Sequence, residues 1–88
     1  GEEFVFLLPE IDIDCAFKIA ERLRVTLAER PIVWEDTVIR CTMSLGVSCL
    51  DREEANTTAA LISEADSALY QAKEAGRNRT VIHPRAAR

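Results

Sequence analysis

Two segments with helical periodicity, separated by short runs of β-branched residues, constrain the fold of this 88-residue chain most strongly. The apolar positions of the first segment share one helix face and are Ala16, Ile19, Ala20, Leu23 and Leu27. Those of the second segment do the same and are Leu61, Ala65, Ala68, Leu69 and Ala72. Because an amphipathic helix must bury its apolar stripe against another layer, we expect two helices packed on a sheet.

The remaining apolar runs predict the strands of that sheet. Residues 3–8 are apolar and aromatic-rich, which is typical of a strand buried on both faces. Residues 32–39 predict a weaker strand or a hairpin arm, and residues 79–83 predict a short last strand. Residues 40–50 alternate as a strand does, and Gly46 within them indicates a bulge or a close backbone approach. The order β-α-β-β-α-β predicts an α+β fold (an α/β mixed sheet), which by itself names no function.

Several single residues carry further expectations. Asp12 or Asp14 can cap the first helix, and Gly76 is well placed as the left-handed residue that ends the second. We interpret Trp34 as a residue that packs in the core. Residues 84–88 are expected to form a frayed tail.

Composition places the chain among small soluble domains. A length of 88 residues allows at most one domain, and 48% hydrophobic with 30% charged residues is typical of a globular protein. The net charge of −4 argues against binding to polymeric nucleic acid, which requires a basic face. No apolar run approaches the ~20 residues that a membrane span needs.

An acidic block stands at the start of the chain, Gly1-Glu2-Glu3-Phe4, and a basic block with Lys73 and Arg77 stands at the end of the second helix. Carboxylates can hold a divalent cation, and Lys and Arg can hold phosphate. Each block also has a simpler interpretation. The first can be a solvated hairpin tip, and the second can stabilise the negative end of the helix dipole.

Three blocks, taken in order, resemble the C-terminal half of a GGDEF domain, the diguanylate cyclase domain of bacteria. They are Gly1-Glu2-Glu3-Phe4, the run Ser44-Leu45-Gly46-Val47-Ser48, and the run from Ala65-Asp66 through Ala68-Leu69-Tyr70 and Ala72-Lys73 to Gly76-Arg77-Asn78. Gly1 matches the second glycine of the family's Gly-Gly-(Asp/Glu)-Glu-Phe signature. The resemblance implies that residues 1–88 are a partial GGDEF domain, the C-terminal half of a nucleotidyl-cyclase-like palm whose upstream half is absent.

The resemblance also implies a function, a metal and a set of site residues. Members condense two GTP into cyclic di-GMP with release of two pyrophosphates, and each protomer of a homodimer holds one GTP. Glu2 corresponds to a ligand of Mg²⁺ (or Mn²⁺), and Glu2 with Glu3 belongs to the catalytic turn. Lys73 and Arg77 correspond to residues that contact the phosphates. Arg22 falls where some members use an arginine to hold cyclic di-GMP at an inhibitory site. The alternative interpretation is that Arg22 is an exposed charge on the helix surface.

These correspondences predict a cytoplasmic signalling domain that makes a bacterial second messenger as part of an intact parent protein. That parent protein can also contain an upstream sensor or membrane domain. The isolated 88 residues are expected to be inactive. Two alternatives are a degenerate GGDEF domain that binds nucleotide or a protein partner without catalysis, and an α+β interaction module whose motifs are coincidental.

Overall fold

The computed structural model describes residues 3, 6, 8, 11–50 and 57–86. Their secondary structure, in chain order, is α1 (Ile13–Glu29), β1 (Ile32–Trp34), β2 (Thr37–Ile39), β3 (Leu45–Val47), α2 (Thr58–Glu74) and β4 (Thr80–Ile82). This arrangement confirms the predicted α+β class. The predicted strand over residues 3–8 lies largely outside the described residues. Within the described ranges, neither α1 nor α2 has the length and hydrophobicity of a membrane-spanning segment.

Helix α1 begins at one of its two predicted caps. Asp12, rather than Asp14, is the N-cap, and its Oδ1 accepts a hydrogen bond of 2.8 Å from the backbone N–H of Cys15. This hydrogen bond also lowers the pKa of the Asp12 carboxyl below its usual value. At the other end the Arg30 N–H donates to the Thr26 carbonyl at 3.1 Å. The helix stops there because the following proline disfavours helical geometry in the residue before it.

Helix α2 is capped by Thr57, whose Oγ1 accepts a 3.1 Å hydrogen bond from the Ala60 N–H. Its C-terminus is a left-handed turn at Gly76, with φ of 121°, as predicted. The turn continues through Arg77 and Asn78, with φ of 65° and 46°. Residues other than glycine rarely adopt this conformation, so the turn that follows α2 has an unusual backbone conformation.

The described strands form two separate pairs. β1 and β2 are antiparallel, with Val33 opposite Val38, and together they form a complete hairpin rather than one arm of a hairpin. β3 and β4 are parallel, with Gly46 opposite Val81. The predicted strand over residues 40–50 is correct only for Leu45–Val47, because a strand extends only where a partner strand pairs with it and β4 offers three residues.

Helix α2 packs directly onto β3 at Gly46. A Cβ atom at this position would overlap the Ala65 carbonyl oxygen and the Leu69 backbone nitrogen. Ala68 and Ala72, on the same face of α2, are completely buried. Gly46 therefore marks a close backbone approach, which is one of the two predicted alternatives.

The prediction that Trp34 packs in the core is wrong. Its side chain is 68% exposed, and the hairpin of β1 and β2 packs against no other helix or strand in the part of the chain that the structure describes. An aromatic residue in a β-branched run is compatible with a buried or an exposed strand. Only the position of the hairpin relative to the helices decides between the two.

The predicted frayed tail is also partly wrong, because the turn at residues 84–86 is docked on the domain. The Arg85 guanidinium donates to both carboxylate oxygens of Glu64 at 2.8 Å and also to the Cys49 carbonyl and Ser48 Oγ. Ser48 Oγ donates in turn to Glu64 at 2.7 Å, and Ala86 is buried. The hydrogen bonds from Arg85 and then from Ser48 lower the pKa of Glu64 to about 2.

Candidate functional site

The acidic and the basic blocks of the sequence meet in the structure. Lys73 Nζ lies 3.1 Å from Glu3 Oε2, although the two residues are 70 positions apart. Both side chains remain accessible, with 37% of Lys73 and 56% of Glu3 exposed. An exposed ion pair contributes only about 0–1 kcal/mol, so other charged groups can replace either partner at little cost. The structure thus brings together two of the predicted site residues.

The end of α2 presents Arg77 through a Schellman motif. The Arg77 N–H donates to the Ala72 carbonyl at 2.9 Å, and the Gly76 N–H donates to the Lys73 carbonyl at 3.3 Å. These bonds fix the chain direction immediately after Lys73, which lies in the last turn of the helix. The Arg77 side chain is exposed. Because Gly76 adopts the required left-handed conformation, Lys73 and Arg77 are both held at the same helix terminus.

A second contact, which sequence reasoning missed, holds this turn from α1. Arg24 Nη1 donates to the Asn78 side-chain oxygen at 3.0 Å and to the Asn78 carbonyl at 3.3 Å. The Asn78 N–H donates to Ser44 Oγ at 3.1 Å. Arg24 also donates two 2.8 Å hydrogen bonds to Glu21, which are the main reason that the pKa of that carboxyl is lowered to about 2. The Glu21–Arg24 spacing predicts their ion pair, but nothing local predicts a contact across 54 residues.

The other predicted site residues lie elsewhere or outside the described set. Glu2 is outside the described residues, so its role as a metal ligand stays a prediction. Arg22 is exposed on α1 and lines an open groove with Arg30 and Met43. A product-binding role for Arg22 also stays a prediction.

The donor chemistry near Glu3 is compatible with a divalent cation. Among the residues that the structure describes, no group of three or more His, Cys, Asp or Glu side chains is placed to hold a metal ion. Mg²⁺ bound with a nucleotide does not require such a group, since it takes one or two carboxylates plus phosphate oxygens and water. Glu3 is an accessible carboxylate, and Glu2 precedes it directly in the sequence.

Comparison with known proteins identifies the family to which the chain belongs. The sequence model described as "Diguanylate cyclase, GGDEF domain" matches residues 1–79. The chain belongs to the GGDEF domain family. The identification made from its three motifs is therefore confirmed, and it extends over most of the chain.

Several relatives of this GGDEF chain are named diguanylate cyclases, and another is named a response regulator. Diguanylate cyclase A of Treponema denticola is 37% identical over 84 residues, which cover 93% of the chain and 22% of the relative. Diguanylate cyclase DgcP of Pseudomonas aeruginosa is 39% identical over 82 residues, covering 93% of the chain and 12% of the relative. Response regulator PleD of Caulobacter vibrioides is 39% identical over 83 residues, covering 92% and 18%.

A solved structure agrees with the fold. The active GGEEF domain of a diguanylate cyclase from Vibrio cholerae superimposes with a TM-score of 0.74 at 34% sequence identity. The match covers 86% of this chain and 47% of that one. The GGDEF chain thus spans about half the length of the solved protein and less than a quarter of the three curated relatives.

Proposed function

We propose that this GGDEF chain supplies the signature turn and the phosphate-binding helix end of a diguanylate cyclase, which condenses two GTP into cyclic di-GMP. The observation that carries the proposal is the contact between Glu3 and Lys73, which joins the signature to the end of α2. Membership in the family and the names of the relatives support the same activity. A homodimer in which each protomer holds one GTP is part of this proposal.

Lys73 and Arg77 are proposed to bind the triphosphate. In each half-reaction a 3′-hydroxyl forms a new bond to the α-phosphorus of the other GTP, and the bond to the departing pyrophosphate breaks. Positioning and charge stabilisation supply most of the rate in phosphoryl transfer. Lys73 would exchange its exposed carboxylate partner for a phosphate oxygen, and Arg77 offers the planar donor fork that suits phosphate.

The carboxylates of the signature are proposed to act at the other side of the phosphates. Glu2 would hold Mg²⁺ (or Mn²⁺) together with phosphate oxygens, and Glu3, released when Lys73 turns to the phosphate, would lie beside the reacting groups. The ion, when bound, polarises a phosphoryl oxygen and favours ionisation of the attacking hydroxyl. Removal of the Glu2 charge should therefore abolish turnover, while GTP is still held by Lys73 and Arg77.

The proposal can be tested by exchanging the matching segment of the Vibrio cholerae GGEEF domain for residues 1–88. The chimera is incubated with GTP and Mg²⁺, and cyclic di-GMP is followed by chromatography. We expect product from the chimera, loss of product in Glu2→Gln, and full activity in the control Glu35→Gln, which alters an exposed hairpin turn. We also expect no product from the 88 residues alone.

Other outcomes decide between the remaining alternatives. A chimera without product that still binds GTP or cyclic di-GMP saturably would indicate a degenerate GGDEF domain. A chimera with neither product nor binding would contradict the proposed function. Turnover by the 88 residues alone would show that this segment is sufficient.

A further inference from the structure

We propose that Arg24 is a positioning residue that holds the left-handed turn after α2 and thereby presents Arg77 to phosphate. This inference rests on the proposed function for its consequence in catalysis. The contact that carries it, from Arg24 to Asn78, is independent of that function. Arg24 acts through Asn78 and does not itself touch the nucleotide.

The turn needs to be held because its backbone is strained. Three consecutive residues have positive φ: Gly76 at 121°, Arg77 at 65° and Asn78 at 46°. Glycine adopts this region freely, and asparagine tolerates it better than most residues, but arginine does not. Such conformations persist where surrounding contacts impose them, and they are concentrated at functional sites.

The restraint comes from two different elements. Ser44, directly before β3, accepts the hydrogen bond of the Asn78 N–H, while Arg24 on α1 donates to the carbonyl and to the side chain of Asn78. Arg77 precedes Asn78 directly, and its own carbonyl accepts a 3.1 Å bond from Arg79 Nε. The backbone on the C-terminal side of Arg77 is therefore held by side chains from α1, from the residue before β3 and from the turn itself.

The Arg24 side chain is itself well fixed. Its Nε and Nη2 each donate a 2.8 Å hydrogen bond to Glu21, while Nη1 reaches Asn78. The side chain is only 20% exposed and that of Glu21 only 30%. With three of its nitrogens used inside the domain, Arg24 is occupied in a structural contact. A lysine cannot reproduce this planar fork, so charge alone should not replace it.

The first test is kinetic and uses the Vibrio cholerae chimera. Arg24→Met should raise the KM for GTP about tenfold, because a charge-assisted hydrogen-bond pair that places Arg77 is lost, while kcat changes less than about threefold. Arg24→Lys should recover little of the loss. Asn78→Ala should resemble Arg24→Met, and the double variant should be no worse than either one. Arg40→Met is the control, since exposed Arg40 forms no side-chain hydrogen bond or ion pair with the described residues.

The second test does not depend on catalysis. Limited trypsin digestion of the 88-residue chain, read by mass spectrometry, reports cleavage after Arg77 in the turn and after Lys18 in the middle of α1. Arg24→Met should accelerate cleavage after Arg77 about tenfold, because the turn is loosened. Cleavage after Lys18 should stay within about twofold of its rate in the control Arg40→Met, because α1 is not loosened. A general loss of stability would accelerate both.

The outcomes separate this inference from the proposed function. If the unaltered chimera makes no cyclic di-GMP, the proposed function fails, and the digestion alone decides on the restraint. The inference is overturned if Arg24→Met and Arg40→Met have the same KM for GTP in an active chimera. It is equally overturned if Arg24→Met accelerates cleavage after Arg77 and Lys18 by the same factor, or accelerates neither.

Discussion

The Cα of Gly46 in β3 lies so close to the carbonyl oxygen of Ala65 in α2 that no side-chain carbon fits between them. The nearest atoms on the helix are backbone atoms, which cannot rotate away as a flexible side chain can. We therefore expect Gly46→Ala to lower the free energy of unfolding by about 3 kcal/mol, the upper part of the usual range for overpacking. Urea denaturation followed by circular dichroism measures this change.

Ser67→Ala, on an exposed part of the same helix, is a matched control that should change the free energy of unfolding by no more than about 0.5 kcal/mol. Equal stability of the two variants would mean that β3 and α2 do not approach as closely as described.

Stability should decrease in acid partly because of Glu64. Hydrogen bonds from Arg85 and then Ser48 lower the pKa of Glu64 from 4.5 to about 2 in the folded state. Between these values the unfolded chain takes up a proton that the folded carboxylate does not, so this contribution is complete above pH 4.5 and is lost as the pH falls towards 2. Urea midpoints measured across this range should fall less steeply in Glu64→Gln than in the unaltered chain.

Glu35→Gln is the control for the acid titration, because Glu35 lies at an exposed hairpin turn and forms no ion pair among the described residues. We expect its midpoints to follow those of the unaltered chain. Parallel curves for Glu64→Gln and the unaltered chain would show that the Arg85 contact does not persist in solution.

Lys73 and Arg77 should matter for GTP and little for stability. In the chimera, Lys73→Gln and Arg77→Gln should each reduce kcat/KM for GTP about 10- to 100-fold, because each removes one charge-assisted phosphate contact. The Lys73–Glu3 pair is exposed, so Lys73→Gln should cost at most about 1 kcal/mol of unfolding free energy. Lys18→Gln, on the exposed surface of α1, is the control. Equal kcat/KM in all three variants would show that neither residue binds phosphate.

Trp34 should behave as a surface residue. It is the single tryptophan of the chain, so its fluorescence reports on this position alone. At 68% exposure we expect efficient quenching by acrylamide and a change of no more than about 0.5 kcal/mol in unfolding free energy for Trp34→Ser. A shielded indole, or a strongly destabilised variant, would indicate that the hairpin is covered in solution.

Local signals were sufficient to predict the helices and part of the candidate site. Asp12 and Gly76 mark helix ends because capping depends on hydrogen bonds within a few residues. Lys73 and Arg77 were assigned to the site through the resemblance of their motif to the family, and the structure places both at the end of α2, while their role stays a prediction. The hairpin was only half predicted, and its exposure was predicted wrongly. The reason is that strand pairing and burial depend on partners that the local sequence does not contain.

The α+β class, a capping residue for each helix and membership in the GGDEF family follow from the sequence alone, whereas the close approach of α2 that requires glycine at position 46 does not. The contacts that assemble the site were decided only in the tertiary structure. Glu3 meets Lys73 across 70 positions, and Arg24 reaches Asn78 across 54. Helix periodicity and capping act over a few residues, whereas these pairs form only once helices and sheet have packed, and packing is determined by the chain as a whole.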